Sequence, residues 1–97
     1  MTSMASPAWD VAGADEALVR YHAAELAGLA ARHGITNLRF ASPGRLLGTV
    51  ATDRDLIDIA EFMAEAEDLL GAPVTLFSDA VLGKDRVSDD LLHAAAL

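Results

Sequence analysis

The sequence predicts an α/β (α+β) chain built on a small mixed three-stranded sheet covered by helices, in the order α-β-β-α-β-α. Three observations predict it. Two long segments, residues 15–33 and 52–71, repeat apolar residues at steps of three and four, the period of an amphipathic helix. Three shorter runs, residues 35–41, 46–51 and 74–77, read as strands set between turn signals. The two kinds of segment alternate, and one sheet covered by helices is the economical way to bury both.

Residues 1–14 carry Ser, Ala, Pro and Gly around a single Trp9, which reads as a flexible arm ahead of one domain over residues 15–97. Trp9 is placed either to pack back on the domain or to anchor a partner. The first helix pattern puts Leu18, Val19, Leu26, Leu29 and Ala30 on one side of the wheel. Asp15 and Glu16 suit its positive end, and His33 followed by Gly34 suits its stop. His22 and His33 lie too far apart on one helix to share a metal, which wants spacings of three or four. In the first strand Ile35, Leu38 and Phe40 are the buried candidates. Ser42-Pro43-Gly44-Arg45 has the Pro and Gly of a type II turn, and a second strand over residues 46–51 follows.

The central helix reads TDRDLIDIAEFMAEAEDLLG, with Leu56, Ile59, Ala60, Met63, Ala66 and Leu70 on its apolar side. Thr52 suits the cap and Asp55 the capping-box position. Gly71 and Pro73 end the helix. Pro73 leads into the third strand, and residues 78–84 connect it to a short last helix opened by Ser88, with Leu91, Leu92 and Ala95 inward.

Composition narrows the function. The chain has 97 residues, enough for one small core, and no cysteine, so no disulfide and no thiolate metal site. Seven Lys and Arg against fifteen Asp and Glu give a net charge of −8, which argues against direct nucleic-acid binding. The start lacks the pattern of a secretory signal, and no apolar run reaches the ~20 residues of a membrane helix. A cytoplasmic protein is the expectation.

Asp53-Arg54-Asp55 has two readings. Two acids one residue apart bind a catalytic metal when a strand turns both to one face. Here the helix period claims them as the start of a helix, where successive residues diverge by about 100°. Arg39 and Arg45 flank the turn and offer an anion contact beside Gly44, or are simply solvated. Asp58, Glu61, Glu65 and Asp68 fall on one outer arc of the central helix, with no Lys or Arg interleaved after Arg54. This ridge is either a solvated face or the receiver of a basic surface, which would relieve its like-charge repulsion.

ARHGITNLRF at residues 31–40, DLIDIAEFMAEAEDLLGAPVTLF at 55–77 and VSDDLLHAAAL at 87–97 resemble the MNT-type minimal nucleotidyltransferases, which have a polymerase-beta-like fold. The resemblance spans roughly residues 18–97 and implies a nucleotidyltransferase-like fold. Many family members are antitoxins paired with helical HEPN toxins. The family's chemistry implies a Gly-Ser pair after the first strand, an Asp-x-Asp on the second and a third acid on the next. These hold magnesium and the nucleotide triphosphate.

Two alignments compete. One sets Ala41-Ser42 on the Gly-Ser pair and Asp53 and Asp55 on the metal acids, which makes an active magnesium- and ATP-dependent nucleotidyltransferase. The other treats the motif as deleted and matches residues 54–71 to the helix after it. The second is preferred, because it uses the helix period, cap and stop together. Under both, Thr75 stands where the third acid is implied.

The expectation is therefore a shortened, non-catalytic pseudoenzyme that binds protein, in the role of an antitoxin toward a HEPN-type partner. Asp58, Glu61, Glu65 and Asp68 are its partner-binding residues, and no metal or cofactor is expected. The alternatives are an enzyme using Asp53 and Asp55, with nucleotide at Ser42, Gly44 and Arg45, and a self-associating module that forms a homodimer through exposed sheet edges.

Overall fold

The computed structural model describes residues 13–97. Most of the segment read as an arm, Trp9 included, lies outside that range. Its last two residues do not. Ala14 is buried, its N–H donates to the Pro73 carbonyl (3.1 Å), and its carbonyl accepts from Gly44 N–H (2.9 Å). Thr75 N–H in turn donates to the Gly44 carbonyl (2.8 Å). Residues 13–14 thus brace the hairpin turn against the entry to the third strand.

The first helical segment is two helices, α1 (Glu16–Tyr21) and α2 (Ala23–Arg32), broken at His22, whose φ of −102° and ψ of 18° leave the helical range. Asp15 caps α1 by accepting from Leu18 N–H (2.9 Å), so it stands before the first turn rather than in it. Val19, Leu26 and Ala30 are buried, and Leu18 and Leu29 pack at the edge of the core.

β1 (Ile35–Ser42) pairs antiparallel with β2 (Arg45–Val50) across the Pro43-Gly44 turn. Gly44 has φ +77°, as the third position of a type II turn demands. Ile35, Leu38 and Phe40 are all buried, although strict alternation would not put residues 35 and 38 on one face. A register shift between Thr36 and Arg39, with Asn37 at φ +55°, inserts the extra residue that turns Leu38 inward.

α3 spans Leu56–Leu70, three residues later at its start than a Thr52 cap implies. Asp55, not Thr52, is its cap, and its carboxylate accepts from Ile57 N–H (3.1 Å) and Asp58 N–H (3.3 Å). Gly71 closes the helix at φ +68°. The buried side is Phe62, Ala66 and Leu70, with Ile59 and Met63 packed against it. Leu56 is 78% exposed and Ala60 is exposed, so both leave the predicted apolar side. The first turn of α3 extends past the residues that cover the core.

β3 (Thr75–Ser78) lies parallel to β2, the relation a crossover through α3 requires. A 3₁₀ turn (Asp79–Gly83) leads away, and α4 is only Asp89–Leu92. The predicted last helix stops there. Ala95–Ala96 forms β4, antiparallel to β1 at Phe40 and Arg39. The sheet therefore has four strands in the order β3-β2-β1-β4, not three. A two-residue strand is too short for any periodicity to reveal. β2 is an inner strand, so the Leu46–Ala51 run offers no free edge; β3 and β4 are the outer strands.

The main core lies on one face of the sheet, where Ile35, Leu38, Phe40, Leu46 and Leu76 meet Leu26 and Ala30 of α2 and Phe62, Ala66 and Leu70 of α3. Alternation turns Arg45, Leu47 and Thr49 to the opposite face. Among the described residues no helix is long and apolar enough to cross a membrane.

Candidate functional site

The second face of the sheet carries two polar clusters, each built from a strand arginine and a distant carboxylate. In the first, Arg39 Nη2 donates to Asp79 Oδ2 (3.0 Å), and Thr49 Oγ1 donates to the same oxygen (2.6 Å). Arg39 is on β1, Thr49 on β2, and Asp79 opens the 3₁₀ turn after β3, so one carboxylate ties three strands together. In the second, Ser42 Oγ donates to Asp90 Oδ2 (2.6 Å), and Arg45 Nη2 donates to Ser88 Oγ (3.1 Å). Arg45 Nε lies 3.2 Å from Asp90 Oδ2 without an aligned hydrogen bond, so that contact is chiefly Coulombic. The Arg45 guanidinium also stacks over Phe77, 4.8 Å from the ring centroid.

The Ser42–Arg45 turn is thus occupied by the N-terminus of α4. Ser42 and Arg45 come together, but around Asp90 of the same chain. A cavity of about 390 Å³ opens beside them, lined by Arg45, Phe77, Lys84, Arg86, Ser88 and Leu91 among others. The fold brings both Lys84 and Arg86 to the wall that holds Arg45.

The Asp90 carboxyl is held below its ordinary range, first by the Ser42 hydrogen bond and then by that of Ser88. Burial opposes them, and the Arg45 charge and Leu91 N–H add to them. The folded pKa lies below the unfolded one, so the contribution is complete above the ordinary value of ~3.9 and is lost as pH falls through the folded pKa. Asp90→Asn is expected to cost about 1 kcal/mol at pH 7, with the gap to the native chain closing toward pH 3. Urea unfolding followed by circular dichroism at both pH values checks this; a gap that stays constant contradicts it.

Asp53 and Asp55 do not share a strand face. Asp55 spends its carboxylate on the α3 cap, and Asp53 lies in the exposed turn before it. β2, the second strand, reads RLLGTV and holds no acid. Arg45 and Thr75 are register partners across the parallel β2–β3 pair.

The acidic ridge is more elaborate than the helix wheel suggests. Asp58 Oδ1 accepts from Arg54 Nη1 (3.2 Å), and Glu65 Oε1 lies 3.4 Å from Arg32 Nη2. His33, the C-cap of α2, sets its ring among three of the ridge acids. Its Nε2 is 3.1 Å from Glu65 Oε1, and its Nδ1 is 3.6 Å from Asp58 Oδ1 and 3.7 Å from Glu61 Oε1. Asp68 lies a turn beyond and is exposed. His33 is the site residue that sequence reasoning missed. The i, i+3, i+7 spacing of the acids was visible, but what packs on them comes from another helix.

No family model matches the chain, and neither does any curated protein. A solved structure assigned as a minimal nucleotidyltransferase is similar, with a TM-score of 0.65 and 26% identity over 86% of this chain and 94% of that one. The fold is nucleotidyltransferase-like.

Proposed function

We propose that this nucleotidyltransferase-like chain no longer transfers nucleotides and acts by binding another protein, as the antitoxin of a toxin–antitoxin pair in the cytoplasm. One observation carries the non-catalytic part. β2 holds no acid, and Thr75, the register partner of Arg45 on the parallel pair β2–β3, stands where the family resemblance implies the third carboxylate. An arginine repels a divalent cation, and a hydroxyl cannot replace a carboxylate's charge. The candidates Asp53 and Asp55 support the same reading, since Asp55 is committed to a helix cap and Asp53 lies in the exposed turn before it.

The protein-binding part rests on surface chemistry. Among the described residues no Lys or Arg pairs with Glu61 or Asp68, which are exposed on the outer face of α3 in a chain of net charge −8. That field favours a basic partner and speeds its encounter. The antitoxin role and a helical HEPN-type partner come from the family resemblance.

The test is a transfer assay. The purified chain, given magnesium, labelled ATP and the protein encoded beside it, is expected to label neither that protein nor RNA. Its association with that protein should slow with added salt and with Glu61→Lys. Magnesium-dependent transfer abolished by Asp53→Asn and Asp55→Asn would restore the enzyme reading, and association indifferent to salt would return the ridge to a solvated face.

A further inference from the structure

We propose that His33, Asp58 and Glu61 form a binding site for one zinc ion that clamps the end of α2 to α3. This goes beyond the protein-binding reading and does not depend on it.

The argument starts from the imidazole. Its Nε2 faces Glu65 Oε1 at 3.1 Å, and an ionised carboxylate only accepts. Nε2 therefore carries the hydrogen, and in the neutral ring Nδ1 is left with a lone pair. This is the arrangement in which a carboxylate on one ring nitrogen orients the other toward a metal. Nδ1 does not hydrogen-bond to either acid in front of it. The oxygens of Asp58 and Glu61 stand 3.6 and 3.7 Å away, beyond a charged hydrogen bond of about 2.7–2.9 Å.

Those separations suit a shared cation. Zinc bonds of about 2.0–2.2 Å at tetrahedral angles put neighbouring ligand atoms roughly 3.3–3.6 Å apart. The donor atoms of His33, Asp58 and Glu61 all lie within 4.8 Å of one another. Asp58 and Glu61 are three apart on one helix and so share a face. One imidazole and two carboxylates favour zinc over magnesium or calcium, which take all-oxygen sets. A water would complete the four-coordinate shell.

The surroundings hold this set in place. His33 is only 12% exposed at its side chain, so its ring is confined, whereas Glu61 at 58% leaves an entry path. Arg54 Nη1 donates to Asp58 Oδ1 (3.2 Å), the oxygen that faces His33, so a bound ion competes with that guanidinium for Asp58. Arg32 approaches Glu65 from the other side. The like charges along α3, costly in an isolated helix, would be offset by the ion.

The experiment titrates zinc chloride into the chelator-treated full chain by calorimetry, with magnesium in excess. One equivalent should bind, and His33→Gln and Glu61→Gln should each weaken it at least about tenfold. Glu65→Leu, which removes the acceptor for Nε2–H, should weaken it by about 10–100-fold. Cobalt in place of zinc should give a visible absorption band that disappears in His33→Gln. His22→Gln with His93→Gln should leave the binding unchanged. Circular dichroism verifies folding, and the exposed Glu61 decides the matter should His33→Gln fail to fold. Absence of one-equivalent binding, displacement by magnesium, or undiminished affinity in folded His33→Gln or in Glu61→Gln overturns the proposal.

Discussion

Phe62→Ala is expected to lower the free energy of unfolding by about 3–5 kcal/mol, close to the whole stability of a marginal domain. Phe62 is fully buried, the largest such side chain among the described residues, and it belongs to the main cluster that α2 and α3 build over the sheet. Truncation removes its transfer free energy and leaves a cavity that helix-on-sheet packing only partly closes. Ile57→Ala, one turn and a half earlier on the same helix, is the control. Ile57 is 66% exposed, and its loss should cost no more than about 0.5 kcal/mol. Urea unfolding of both variants checks the pair. Equal losses, or a Phe62→Ala loss below about 1 kcal/mol, would mean that α3 does not pack as described.

Gly44→Val is expected to be the next most damaging change, at about 3 kcal/mol or more. Two costs add. A branched side chain at φ +77° carries roughly 1–3 kcal/mol of backbone strain. Its Cβ would also stand 3.0 Å from Gly13 Cα and 3.4 Å from the Pro73 carbonyl oxygen, and overpacking of that kind costs about 1–3 kcal/mol. Both neighbours are backbone and cannot swing aside. The shift would break the relay from Pro73 through Ala14 to Gly44 and Thr75, so Ala14 N–H should lose hydrogen-exchange protection before the helices do. Gly71→Ala gives the comparison. It shares the positive φ (+68°) but meets nothing within 4 Å, so it should cost only the strain. Gly44→Val no worse than Gly71→Ala would remove the brace from the account.

Much of the fold was legible, and the reasons are local. The period of α3, its Gly71 stop and the hairpin turn at Pro43-Gly44 each follow from side chains within a few positions of one another. The misses share a different cause. The break at His22 interrupts a pattern that the wheel reads as continuous. Asp55 takes the cap from Thr52 because the helix starts only at Leu56. β4 exists because Arg39 and Phe40 offer pairing partners to two alanines.

The candidate site divides in the same way. By itself the sequence determined the acid count, the acid-free second strand, Thr75 after Pro73 and the arc of four acids on α3. Residue type and helical spacing suffice for these, since neither needs a distant partner. Only the tertiary structure decided that Asp90 would neutralise Arg45, that Arg45 would face Thr75, and that His33 would enter the ridge. Asp90 lies forty-five positions from Arg45, and His33 lies thirty-two from Glu65. No local pattern links groups so far apart; the packing of helices on a twisted sheet does, because burial of the apolar faces sets where each charged edge comes to rest.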